Sequence, residues 1–211
     1  MNSRFSRLPS WLRSRLPESV RHLARLARHV LRKGQPSPGI PAELLAECRV
    51  CASRNELVKN LPKQARLAEI GTYRGEFARH ILAACEPAEL HLIDIDVSLL
   101  DPTVANERRV SIHRGQSQDM LARFPDDHFD WIYIDGDHSY EGVSGDARVA
   151  ARKVKPGGYL VFNDFAHADP YLGAYGVHRA VVEFAVTRGW KFAWWAYEPN
   201  ALYDVALQRP V

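Results

Sequence analysis

One stretch constrains this chain more than any other: Ala68-Glu69-Ile70-Gly71-Thr72-Tyr73-Arg74-Gly75-Glu76-Phe77. Leu67 to Ile70 read as the end of a buried strand, and a helix opens after Gly75. Gly71 and Gly75 stand where the backbone turns sharply or something comes close to it. A strand, tight turn and helix in this order aim backbone N–H groups at a polar ligand. The spacing narrows the choice of ligand. A dinucleotide fingerprint needs G-x-G-x-x-G and a phosphate loop needs G-x-x-x-x-G-K-[ST]. This turn has two glycines, four positions apart. Glu69, two positions before Gly71, disfavours a pyrophosphate and suits a ligand carrying positive charge.

The rest of the chain repeats the unit. Strand-like runs fall at 66–70, 89–95, 109–113, 129–134 and 158–163, with helical stretches at about 75–85, 97–105, 117–123 and 140–153. Alternation of this kind predicts an α/β fold, a parallel sheet with helices on both faces. A helix over 176–188 then leads into two adjacent strand-like runs, 190–197 and 201–208, joined by Glu198-Pro199-Asn200. These predict an antiparallel pair closing the sheet edge.

Residues 1–60 differ from this pattern. Residues 1–34 hold nine Lys and Arg against the single acid Glu18, a net +8, so the net +3 of the chain leaves −5 for the remainder. The basic residues 21, 25, 28 and 32 form a stripe beside Val20, Leu23, Ala27, Val30 and Leu31, which predicts an amphipathic helix over 18–33. Such a helix packs on its own domain, meets a second subunit in a homodimer, or lies as a peripheral contact on an anionic membrane surface. A proline-rich linker over 35–41 follows, then one or two short helices up to Leu61. The expected division is therefore a helical extension, 1–60, and a main domain, 61–211. The acidic balance of that domain argues against nucleic acid as a partner. Three cysteines, with no secretory signal and no apolar run long enough to span a membrane, point to a reducing, cytoplasmic setting. Cys48 and Cys51 form a C-x-x-C with no second pair, in a stretch that reads as helix.

In an open α/β sheet the ligand lies at the carboxyl ends of the strands. The first candidate strand ends at Glu69–Gly75. The second ends at Asp94, with Asp96 as its rival; Asp94 lies 19 residues after Gly75, close to the spacing at which an acid meets ribose hydroxyls. Gly115-Gln116-Ser117-Gln118-Asp119 follows the third and offers short polar side chains to the edge of a base. The fourth ends in Ile134-Asp135-Gly136-Asp137-His138-Ser139-Tyr140, the fifth in Phe162-Asn163-Asp164-Phe165. If the fourth and fifth strands are neighbours, about 4.8 Å apart, Asp135, Asn163 and Asp164 converge on one hard cation. Mg²⁺ suits oxygen ligands of this kind; helix capping is the alternative role for the same residues.

Taken together, the Glu69–Gly75 turn, the run Phe129–Glu141 and the run Lys155-Pro156-Gly157-Gly158 through Phe165 resemble class I S-adenosylmethionine-dependent methyltransferases. Within that class they resemble the bacterial small-molecule O-methyltransferases of macrolide-sugar and cephalosporin pathways, with kinship to catechol O-methyltransferase. The resemblance covers about residues 60–208. It implies a Rossmann-like seven-stranded mixed sheet of order 3-2-1-4-5-7-6, with the last strand antiparallel. It implies that Glu69, Gly71, Thr72, Tyr73, Gly75 and Asp135 hold the amino acid part of S-adenosylmethionine. Asp94 would hold the ribose, and Ser117 and Gln118 the adenine. Asp135, Asn163 and Asp164 fall at the metal positions of the Mg²⁺-dependent members. Their order departs from the catechol enzyme, which has aspartate before asparagine, so Asp164 is the firmer ligand. His138 stands three residues after Asp135, where catechol-type relatives carry a lysine base; Asp137 is its rival. Tyr171, Tyr175 and Trp194 are candidate walls for a small-molecule or sugar acceptor. The implied activity is Mg²⁺-assisted O-methylation. A metal-independent methyltransferase and a non-catalytic cofactor-binding protein stand as alternatives.

Overall fold

The structure, a computed structural model, describes residues 37–169 and 173–211. The basic segment 18–33 and Tyr171 lie outside the described residues. In chain order the main unit contains α1 (Ala42–Leu45), β1 (Arg49–Cys51), α2 (Arg54–Lys59), β2 (Arg66–Ile70), α3 (Glu76–Cys85), β3 (Glu89–Asp94), α4 (Pro102–Ala105) and β4 (Val110–Arg114). There follow α5 (Ser117–Ala122), β5 (Phe129–Ile134), α6 (Tyr140–Lys153) and β6 (Val154–Phe165). A two-stranded ribbon, β7 (Ala168–Asp169) with β8 (Gly173–Ala174), pairs antiparallel and belongs to a separate compact unit. The chain ends in α7 (Val177–Arg188), β9 (Lys191–Ala196) and β10 (Tyr203–Gln208).

The main sheet has eight strands in the order β1-β9-β10-β6-β5-β2-β3-β4. This corrects the expected seven-stranded order by an added edge strand. Residues 49–51, expected to be helical, pair in parallel with Trp194–Ala196 of β9. Cys51 therefore sits in a strand and Cys48 just before it. The pair β9–β10 is antiparallel as expected, but β9 is not the edge. The predicted helix over 97–105 shortens to α4, because Asp101 accepts the Thr103 amide at 2.7 Å and Pro102 starts the helix there.

The central strands are apolar on both faces, as a sheet covered by helices requires. On one face Ile132 and Ile134 of β5 pack with α5, α6 and α7 through Leu121, Val143, Ala147 and Val181. On the other, Trp131 and Tyr133 pack with α2, α3 and α4 through Leu57, Phe77, Ile81 and Val104. Trp131 is fully buried and donates its indole N–H to the Pro62 carbonyl at 3.0 Å.

This topology positions the site. Strands β2, β3, β5 and β6 run parallel and deliver their carboxyl ends to one edge of the sheet. Strand β10 runs antiparallel to β6, with Tyr203 opposite Phe165 and Val205 opposite Phe162, so its first residues reach the same edge. Past β2 the turn is clasped on both sides. The Gly71 amide donates to Ile93 of β3 at 2.9 Å, and the Asp135 amide donates to Ile70 at 2.8 Å. Gly71 has φ of 82°, and a Cβ there would overlap the Asp135 carbonyl oxygen. Gly71→Ala is therefore expected to destabilise the domain by about 3 kcal/mol, through backbone strain and overpacking. Its urea midpoint should fall with an unchanged slope; a wild-type midpoint would contradict the clasp.

Candidate active site

Two compartments meet at the carboxyl edge. The first is a cleft of about 450 Å³ between the ends of β2, β3, β4 and β5, lined in part by Gly71, Tyr73, Asp94, Ser117, Gln118 and Asp135. Six of the expected cofactor residues are thus brought together. Asp94 is oriented by backbone: Oδ2 accepts the Tyr73 amide at 2.9 Å and Oδ1 the Asp96 amide at 3.0 Å. Each oxygen keeps lone pairs for a diol. Asp96 instead holds its own turn, accepting from the Ser98 amide at 3.0 Å.

Ser117 at the start of α5 donates to Asp146 Oδ1 at 2.5 Å, and Gln118 also bonds Asp146. Asp146 projects from α6 into the floor of the cleft and is almost fully buried. Burial raises its carboxyl, and the bonds from Ser117 and Gln118 oppose that rise. Gln118 passes so close to α6 that a Cβ on Gly145 would overlap its amide. Sequence reasoning missed Asp146, although a signal was present: it falls at the helical spacing of Val143, Ala147 and Ala150, an acid among core positions.

The other expected residues take different parts in the structure. Gly75 caps α3 at φ 78° and packs against Leu100. Asp137 lines the cleft but is committed to the turn before α6, accepting from the Ser139 amide at 2.9 Å and the Ser139 hydroxyl at 2.8 Å. Thr72 is buried, and its hydroxyl has no partner among the described residues. His178 bonds Ser37 at 2.5 Å and packs between Phe165 and His167, away from the polar cluster. Trp194 lies under Arg49, on the far strand β9.

Behind the cleft sits a buried acidic compartment. Glu69 is 1% exposed, and one carboxyl oxygen has no partner among the described residues. Burial raises its pKa well above the carboxylate range; Asp135 and Asp94 add to the rise and Arg54 opposes it. Burial does the same to Asp135, reinforced by Asp204 and Asp164 and again opposed by Arg54. Asp204 at the start of β10 is fully buried, and burial is the main cause that lifts its carboxyl to about 7. Carboxylates drawn together in low dielectric behave in this way.

His138 stands among these acids. Its Nε2 lies 3.2 Å from Asn163 Oδ1, 3.7 Å from Asp135 Oδ1 and 3.6 Å from Asp164 Oδ2. Its ring stacks on Tyr175, with centroids 4.7 Å apart. The orientation is set from behind. Asn163 is 6% exposed and donates its amide N–H groups to Asp204 Oδ1 at 3.1 Å and to Tyr133 Oη at 3.3 Å. Tyr133 in turn donates to the other Asp204 oxygen. With its amino group facing Asp204, Asn163 presents its carbonyl to His138, and Nε2 carries the hydrogen. In the neutral form of that tautomer Nδ1 is the acceptor nitrogen of the ring. Sequence reasoning missed Asp204, Tyr133 and Arg54. A single acid near the start of the apolar run 203–208 signals burial only to a reader who already knows the strand is central.

Residues 68–165 match the family described as a methyltransferase domain. The same fold occurs in a SAM-dependent methyltransferase from Aquifex aeolicus, at 15% identity over 74% of this chain and 89% of that one, with a TM-score of 0.59. It occurs in a second from Mesorhizobium loti, at 14% identity over 74% and 95%, with a TM-score of 0.57. It also occurs in the [4+2]-cyclase SpnF, at 16% identity over 74% and 80%, with a TM-score of 0.56. A comparison with curated proteins finds no match. The main unit thus shares the fold of these proteins, and the family match covers just under half of the chain. The cyclase shows that this fold also hosts other reactions, so the reaction has to be argued from the site.

The acidic compartment has a thermodynamic signature. Asp204 holds its proton more tightly folded than unfolded, so its contribution to stability is present below the unfolded value of 3.8 and is lost as pH rises to about 7. Glu69 and Asp135 act in the same direction. Urea denaturation is expected to show stability falling from pH 4 to pH 7, less steeply in Asp204→Asn; parallel slopes would contradict this assignment.

Proposed function

We propose that this chain is a cytoplasmic S-adenosylmethionine-dependent O-methyltransferase acting on a hydroxyl of a small molecule or glycosyl unit. The observation that carries the reading is the pairing of a cleft floored by Asp94 and Ser117–Gln118 with a buried acidic cluster at its end. A ligand with a diol and a base at one end and positive charge at the other matches both. The turn at Gly71 and Tyr73 would hold the amino acid part. The unpartnered oxygen of Glu69, together with Asp135, supplies the field that favours its ammonium group. Asp94 would accept from the ribose hydroxyls, and Ser117 and Gln118, steadied by Asp146, would face the adenine.

When bound, S-adenosylmethionine supplies a methyl group on a sulfonium. His138 Nδ1 would take the proton of the acceptor hydroxyl as that oxygen receives the methyl group, the sulfonium leaving as a neutral thioether. Asp135 and Asp164 stabilise the imidazolium that results. Macrolide-sugar and cephalosporin-pathway chemistry supplies the expected acceptor class, by resemblance. The basic segment 18–33 is assigned to contact with a second subunit or an anionic membrane surface. No described helix is long and apolar enough to cross a membrane.

Asp135, Asp164 and Asn163 offer oxygens that fit Mg²⁺, which would lower the acceptor hydroxyl's pKa. A second, metal-independent reading rests on one observation: His138 Nε2 already occupies the space between those three oxygens. Activity that survives chelator, with loss in His138→Gln, would select the second reading. Loss in chelator with recovery on added Mg²⁺ would select the first.

Glu69 and Asp135 must ionise to hold a cation, and their folded pKa values are raised. S-adenosylmethionine affinity is therefore expected to increase with pH, with proton release on binding. Calorimetry in buffers of different ionisation enthalpy measures this, and buffer-independent heats would count against the acidic compartment as the cation site. Methyl transfer is tested by incubating metabolite and glycan extracts with isotope-labelled S-adenosylmethionine. Label on a hydroxyl carbon-oxygen linkage supports the proposal, and label on nitrogen alone contradicts it.

A further inference from the structure

A second cluster of metal-ligating side chains lies away from the cleft. Glu89 opens β3, whereas Asp94 closes it at the cofactor edge. Glu89 and His91 stand two residues apart on one face of that strand. His128 precedes β5, and its backbone is fixed by a 2.8 Å bond from its amide to the Lys153 carbonyl. One ligand atom from each of Glu89, His91 and His128 lies within 4.8 Å of the other two. His91 Nε2 and Glu89 Oε2 are 3.4 Å apart. Two ligands of a tetrahedral cation with bonds of about 2.0–2.1 Å are separated by about 3.4 Å, so this pair is already at bonding geometry.

Its surroundings have the features of a metal centre. The other nitrogen of His91, Nδ1, bonds His113 Nε2 on β4 at 3.0 Å. A hydrogen bond there orients a ligating imidazole and selects its tautomer. Phe124 packs on all three imidazoles, edge-on to His91 and His113 and stacked on His128. The His91 side chain is 12% exposed, while that of Glu89 is 47% exposed, which leaves an open approach for an ion and a water. Arg66 approaches the other Glu89 oxygen at 3.4 Å, so one oxygen is engaged and the second faces His91.

We propose that Glu89, His91 and His128, with His91 steadied by His113, form a binding site for a transition-metal dication of the Zn²⁺ or Co²⁺ type. Two imidazoles and one carboxylate select such ions over Mg²⁺. The site tethers the start of β3 to the loop before β5, at a distance from the methyl-transfer chemistry and independent of it.

Titration of the full, metal-stripped chain with Co²⁺ tests this, read as the visible absorption of four-coordinate Co²⁺ and its loss on addition of Zn²⁺. Saturation at one equivalent is expected, with affinity at least about tenfold weaker in His91→Gln and His128→Gln, and about tenfold weaker in His113→Gln. The Asp135→Asn/Asp164→Asn and Cys48→Ser/Cys51→Ser double variants should bind as wild type, which separates this site from the acidic compartment and from the cysteines. Circular dichroism checks folding; should a histidine variant fail it, the exposed Glu89→Gln reads the same loss. Absence of saturable binding by the wild type, or an unchanged Co²⁺ spectrum in folded His91→Gln or Glu89→Gln, would overturn the proposal.

Discussion

Two backbone hydrogen bonds hold the turn after β2, one from Gly71 to β3 and one to Ile70 from the first residue past β5. They tie three strand ends together at a point where no Cβ fits. The cleft exists because of this clasp. It sets Tyr73 so that its amide reaches Asp94, and it sets Asp135 beside Gly71 at the boundary of the acidic compartment. A side chain at position 71 would separate the strands that carry both halves of the site.

The acidic compartment is the costly part of the structure. Glu69, Asp135 and Asp204 all lie in the field of the half-buried Arg54 guanidinium. Burying like charges raises their pKa values instead of stabilising the fold. Protein stability and the cation binding proposed for this compartment are linked through the same protons.

Orientation in this compartment runs from the back of the sheet forwards. Tyr133 and Asp204 fix the Asn163 amide, and the Asn163 carbonyl fixes which His138 nitrogen bears the hydrogen. A strand of opposite direction is needed for this, since only β10 brings its first residues to the edge where β6 ends. The antiparallel strand thus orders the polar cluster as well as extending the sheet.

Much was legible in the sequence. Two-glycine spacing with a leading acid disfavoured a dinucleotide turn, and the alternation of apolar runs with helical stretches located every strand from β2 to β10 in the main sheet. Asp94, Ser117, Gln118, Asp135, His138, Asn163 and Asp164 could be named because each stands at or just past the carboxyl end of a parallel strand, where order along the chain predicts place in space. Three things were decided only by tertiary structure. Residues 49–51 became a strand because β9 offered an unpaired edge, which outweighs weak local preference in so short a segment. Asp204 and Arg54 joined the site from distant parts of the chain, through an antiparallel strand and a helix start that no local pattern links to Asp135. Asp137 and His138 are adjacent and equally acceptable in sequence. Packing separated them: one hydroxyl and one amide of Ser139 engage Asp137, while Asn163 and Tyr175 hold His138 among the acids.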